Sequence, residues 1–161
     1  MAQSYSEIYF HGVTAVKYRR ALIDPDWELR LYGYIREKLL EGECSPIAVG
    51  GVADHIHVLW CHPRTRTAAE VMQAIKGASA RQVNILGLTE IPFHWQSGYG
   101  LFSVSRFRVQ LVKSYIERQR AIHQERTFRK EYQRMLLRDL VNDPDRYLFH
   151  PPLDESHPQA A

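Results

Sequence analysis

Residues 45–61 read SPIAVGGVADHIHVLWC. Two runs rich in β-branched and aromatic residues, Ser45 to Ala53 and His55 to Cys61, meet at Asp54, and Gly50 and Gly51 mark a bend. The stretch reads as two sheet strands joined as a hairpin or meander, and the rest of the chain is read around it.

Upstream, Ile8 to Tyr18 is rich in β-branched and aromatic residues and free of proline, which predicts a first strand running into the basic cluster Lys17-Tyr18-Arg19-Arg20. Asp24-Pro25-Asp26 supplies N-cap chemistry, and Trp27, Leu31, Tyr34, Ile35 and Leu39 recur at helical spacing up to Gly42. Downstream, Thr67-Ala68-Ala69-Glu70 is a capping box opening a helix to about Leu86, closed by Gly87. A fourth strand is expected at about Tyr99 to Ser105, followed by helices over Arg108 to Gln124 and Thr127 to Leu140. The order β-α-β-β-α-β followed by helices predicts an α+β fold. It is a ferredoxin-like antiparallel sheet with helices packed on one face, extended by C-terminal helices.

The 161 residues, 45% of them hydrophobic, suffice for one core and fall short of two ordinary domains. One domain is expected over residues 1–150, with a disordered tail over 151–161. No apolar run approaches the ~18 residues of a bilayer span, and the opening residues lack a basic region followed by an apolar stretch, so a cytosolic protein without membrane partners is expected. Cys44 and Cys61 are expected as buried thiols, not a disulfide.

Charge is uneven. The formal net charge is only +3, but Arg106 to Arg138 holds ten Lys or Arg against three Glu. A basic stretch interleaved with Tyr and Phe suits a polyanion, since each neutralised phosphate releases counterions; a solvated helix face has the same composition.

In a strand, residues two apart project from one face, so His55 and His57 converge while Ile56 turns to the core. Taken alone, the pair fits two half-exposed strand histidines at least as well as a metal site. Tyr115 and Gln119, four apart in the expected helix, share a face. A tyrosine can attack phosphorus and a glutamine oxygen can join a mixed metal site, yet the same spacing describes a core tyrosine with a glutamine at its edge.

Taken together these segments are more specific. Gly50-Gly51-Val52-Ala53-Asp54 before the histidine pair, the run Trp95 to Ser105, and Tyr115-Ile116-Glu117-Arg118-Gln119 resemble the single-tyrosine transposases of the HUH nuclease superfamily. That family moves the smallest bacterial insertion sequences and includes the REP-associated tyrosine transposases. The resemblance runs from about Ile8 to Phe149 and takes in Lys76-Gly77-x-Ser79, Thr127-Phe128-Arg129-x-Glu131-Tyr132 and Asp145-Arg146-Tyr147-Leu148. Leu101 departs from the small residue common in its strand.

The resemblance implies an endonuclease and strand transferase acting on single-stranded DNA, often with a hairpin near the cleavage site. It implies Tyr115 as nucleophile, and His55, His57 and Gln119 as ligands of a divalent ion, Mg2+ or Mn2+. Lys17, Arg19, Arg20, Lys76 and Arg81 are the candidate phosphate contacts, with Tyr18, Trp95 and Tyr99 as candidate base-stacking residues. Many members are homodimers, and REP-associated relatives act as monomers. The competing readings are a non-catalytic ferredoxin-like module that binds single-stranded nucleic acid, and a domesticated REP-associated relative that processes host repeats. A metallohydrolase of another type ranks last, because the extended His-x-His-x-Asp-His pattern is missing.

Overall fold

The computed structural model describes residues 3–138. The expected tail over 151–161, and the segments from Leu140 onward that entered the resemblance, lie outside the described residues.

Four strands form one antiparallel sheet in the order β2-β3-β1-β4: β1 Tyr9–Ala15, β2 Ser45–Val52, β3 His55–Cys61 and β4 Gly100–Val104. Helices α1 (Glu28–Glu41) and α2 (Ala68–Ile85) complete the β-α-β-β-α-β order. They cover one face through a core built on Ile35, Leu39, Met72, Ile75, Ile56, Val58 and Trp60. Strand periodicity puts His55, His57 and Leu59 on the other face. That face is covered by α3 (Val109–Glu117), α4 (Gln119–Glu125) and α5 (Phe128–Arg138). Val112 and Ile116 of α3 pack on Ala48 and Leu59, and Phe128, Tyr132, Met135 and Leu136 of α5 pack on Val13, Ala15 and Phe102.

The local signals explain most of these elements. Thr67 and Glu70 form the expected capping box, with Thr67 N–H donating to Glu70 Oε2 at 2.8 Å, and Gly87 follows α2 at φ 60°. Asp24 builds the entry to α1, its Oδ1 accepting from Asp26 N–H and its carbonyl from Glu28 N–H, both within 2.9 Å.

Three expectations need correction. The first strand ends at Ala15: Lys17–Arg19 form a 3-10 turn with Tyr18 and Arg19 at φ 59° and 52°, so the basic cluster leaves the sheet. The helix expected over Arg108 to Gln124 breaks at Arg118, whose N–H is shared between Ser114 and Tyr115 carbonyls, and α4 starts afresh at Gln119. Both cysteines are free, but Cys61 is only half-buried, because it ends β3 where core cover runs out. No helix among the described residues is long and apolar enough to cross a membrane.

Gly50 sets the distance between the sheet and α3. It pairs in register with His57, and a Cβ there would lie 2.7 Å from the Ile116 carbonyl oxygen of α3. Only a bare backbone lets α3 lie this close to β2. By contrast Gly33, inside α1, has nothing within 4 Å of an added Cβ. Gly50→Ala is expected to destabilise the fold by about 1–3 kcal/mol through overpacking, whereas Gly33→Ala should stabilise it by about 0.5–1 kcal/mol. Denaturant unfolding of the two variants checks the opposite signs.

Candidate active site

β3 presents His55 and His57 side by side, both with 0% exposed surface, beneath the C-terminal helices. α5 delivers Glu131 between them. Glu131 Oε2 lies 3.3 Å from His55 Nε2, and Oε1 lies 3.3 Å from His57 Nε2. α4 adds Gln119, whose Oε1 is 3.2 Å from His55 Nε2 and whose Nε2 donates to Glu131 Oε1 at 2.9 Å. α3 adds Tyr115, whose hydroxyl donates to the same Oε1 in a very short contact. His123 Nε2 sits 2.6 Å from Glu131 Oε2. The break at Arg118 keeps Tyr115 and Gln119 converging although they no longer share one straight helix.

Behind the histidines stands an orienting layer. Asp54 Oδ1 accepts from His55 Nδ1 at 2.7 Å, and Arg19 holds the other carboxylate oxygen at 3.3 Å while its guanidinium lies over the Phe128 ring. Phe128 stacks on the His55 imidazole with ring centroids 3.9 Å apart. His57 Nδ1 pairs with His11 Nε2 at 2.9 Å.

The electrostatics follow from this packing. Burial pushes the Glu131 carboxyl upward, but hydrogen bonds from and the charge of His55 and His57 outweigh it and hold the group at about 2, so it is ionised. Burial likewise disfavours a charged His55, but the Asp54 and Glu131 carboxylates overcome it and raise its pKa. For His57 burial wins and the pKa falls, and His11 falls well below the ordinary range through burial and the neighbouring His57.

The donor set fits a divalent cation. One histidine and one carboxylate oxygen are 3.3 Å apart on each side of the cluster, and an ion bound at ~2.1 Å sets neighbouring ligand atoms ~3.0–3.4 Å apart. His57 Nε2 is buried and makes no well-aligned hydrogen bond among the described residues, its contact being the Glu131 oxygen at 3.3 Å, so a metal bond would satisfy it better. His55, His57 and Glu131 together offer ligand atoms within 4.8 Å of one another.

The structure thus brings His55, His57, Gln119 and Tyr115 to one point. Of the cationic candidates, Arg19 stands in the orienting layer behind His55, bound to Asp54, and the others are elsewhere. Lys76 Nζ donates to the carbonyls of Gln96, Ser97 and Gly98, and Arg81 is exposed on α2, which covers the opposite face. Lys17 and Arg20 flank Tyr18 in the 3-10 turn, and Trp95 is a core residue bonded to Ser79. Sequence reasoning gave no role to Glu131, Asp54, His11 or His123. The signal for Glu131 was present: an acid at position 131 falls on the buried stripe Phe128, Tyr132, Met135, Leu136 of α5.

Residues 4–119 match the family model for Transposase IS200 like, a span that holds both histidines, Tyr115 and Gln119. The chain belongs to that transposase family. Among solved structures it is similar to a protein assigned as a transposase from Deinococcus radiodurans R1, at 22% identity and a TM-score of 0.60, covering 74% of this chain and 96% of that one. It is also similar to a REP-associated tyrosine transposase bound to a REP hairpin, at 12% identity and a TM-score of 0.56, covering 100% of this chain and 94% of that one. At these identities the two structures establish the shared α+β fold. No curated protein matches the chain. Glu131 lies beyond the matched span.

Two outcomes are expected for metal binding. A ligand histidine must be neutral, so apparent Mn2+ affinity should fall as pH drops, governed by His55, whose pKa stands above its ordinary 6.5. Asp54→Asn removes the carboxylate that orients and charges His55; it should lower Mn2+ affinity about 10–100-fold and move the pH dependence to lower pH. Calorimetric titration across pH reads both.

Proposed function

We propose that this transposase-family chain cleaves and rejoins single-stranded DNA through a covalent 5′-phosphotyrosine on Tyr115. The observation that carries the reading is the convergence of the Tyr115 hydroxyl, the His55 and His57 Nε2 atoms and Gln119 on one buried carboxylate, Glu131. A nucleophile, a cation site and a carboxylate that aims the nucleophile then share one pocket.

His55, His57 and Gln119, with Glu131 as an additional oxygen donor, would hold a divalent ion, Mg2+ or Mn2+. Such an ion supplies Lewis-acid polarisation of a phosphate and offsets charge that builds on its oxygens. The chain's own groups do the rest. Tyr115 Oη attacks phosphorus, the P–O3′ bond breaks, and the 3′ oxygen leaves as a hydroxyl after taking a proton. Tyrosine is a poor nucleophile while protonated. The Glu131 oxygen that accepts its hydroxyl hydrogen aims the Tyr115 oxygen. A carboxylate whose pKa is held at about 2 is too weak a base to keep that proton, so the proton passes on to solvent. The phosphotyrosine conserves the energy of the broken bond, so a 3′-hydroxyl can reverse the step onto another strand.

The relative bound to a REP hairpin supports a hairpin-bearing single strand as substrate. Tyr115 lies with its ring centroid 5.7 Å from that of His57 in its own chain, which supports a site completed in cis.

Incubating wild type with labelled hairpin-bearing single strands and Mn2+ should give a covalent adduct on denaturing gels, abolished by chelator and by Tyr115→Phe. Glu131→Gln should reduce adduct formation by at least about tenfold. Cleavage by Tyr115→Phe at the wild-type rate would exclude Tyr115 as nucleophile, and binding without cleavage on any strand would favour the non-catalytic module.

A further inference from the structure

A cleft of about 280 Å³ opens between α3 and α5 on the Tyr115 side of the histidine cluster. His11, Tyr115 and Glu131 form its inner end, and five arginines ring it: Arg108, Arg118, Arg126, Arg134 and Arg138. All five are exposed, and Glu131 is the one acid among the described residues that line it. Arg108, Arg118, Arg126 and Arg134 form no ion pair among the described residues, although α3 to α5 carry Glu117 and Glu125 as well. Like charges gathered in one concave place repel each other, and an anionic ligand relieves the repulsion.

We propose that this cleft is the track for the phosphodiester backbone of the single strand next to the phosphate under attack. This rests on the tyrosine-nuclease reading and adds where the strand lies. Guanidinium groups pair with phosphate oxygens in a planar fork, and a row of them leading to the nucleophile fixes the register of a strand without reading its sequence. Leu111, 61% exposed, and Met135 give the cleft apolar surface for a base or sugar. Phe107, 95% exposed between Arg106 and Arg108, is the kind of open aromatic face on which an unpaired base stacks. The candidates from sequence are less well placed: Arg81 rides on the far side of the sheet, Lys76 is held by three carbonyls, and Arg19 is paired with Asp54.

The test is salt-dependent binding of a labelled oligothymidylate, read by anisotropy with chelator present, in a Tyr115→Phe background that cannot cleave. Replacing Arg108 and Arg134 together by Ala should weaken binding about tenfold at low salt and lower the slope of log K against log salt by about 1.4, that is ~0.7 for each lost phosphate contact. The Arg108→Lys, Arg134→Lys pair keeps the charge and should keep the slope. If the Ala pair lowers the melting temperature, the Arg118→Ala, Arg126→Ala pair takes its place and should give the same loss. Affinity and slope unchanged in the folded Ala variants overturn the proposed track while wild type still forms its Tyr115 adduct. A parent protein that binds no single strand overturns both the track and the reading beneath it.

Discussion

The C-terminal half of the molecule is organised around one buried negative charge. A carboxylate taken out of water costs several kcal/mol unless its oxygens are satisfied, and Glu131 is 3% exposed. Its partners come from every element around it: His55 and His57 from β3, Tyr115 from α3, Gln119 and His123 from α4. The three helices, two of which also pack apolar side chains on the sheet, are thereby tied to one relative placement, because a shift would leave the charge unsatisfied. A metal ion binding there would take over the same role, with Glu131 and the imidazoles now facing a cation instead of one another.

A site of this kind needs its ligands aimed as well as gathered. Each histidine is fixed from behind by a different chemistry. His55 faces a carboxylate, itself neutralised by Arg19, and keeps a raised pKa; His57 faces the neutral imidazole of His11 and keeps a lowered one. The asymmetry is useful. His57 offers its lone pair at neutral pH without competition from a proton, while the more basic His55 is the better donor once deprotonated. The left-handed Tyr18 and Arg19 belong to this design, since the turn that bends the chain out of the sheet is what carries the Arg19 guanidinium to Asp54 and over Phe128.

The sheet and its two-helix cover were legible because they follow from local rules: runs rich in β-branched and aromatic residues in β1 and β3, the capping box at Thr67, Gly87 after α2. The histidine pair was legible for the same reason, as period two leaves no choice about which face His55 and His57 share. What could not be read depends on tertiary closure. Nothing near Arg118 breaks a helix by itself, having neither glycine nor proline, so the turn that starts α4 at Gln119 emerges only once Gln119 is drawn to His55 and Glu131. Glu131 carries an ordinary sequence signal for a solvated helix acid; only its place on the buried stripe of α5 marks it. The basic stretch from Arg106 was visible as composition, but charge counted along a chain does not say which cations share a cleft.

The close approach at Gly50 bears on where Tyr115, the proposed nucleophile, is held. β2 must be bare where Ile116 crosses it, since a methyl group at residue 50 would meet the helix backbone itself and not a side chain able to swing aside. Ile116 is the neighbour of Tyr115 and sits in the small core with Ala48, Leu59 and Val112. The tyrosine is thus held against its own chain's histidines by backbone contact and apolar packing on the same sheet. An α3 supplied by another copy would meet the same bed, since Val112, Ile116 and the bare backbone at residue 50 set the approach for whichever helix lies there. The packing of α3 on β2 therefore sets where Tyr115 stands over His55 and His57, whichever chain provides the helix.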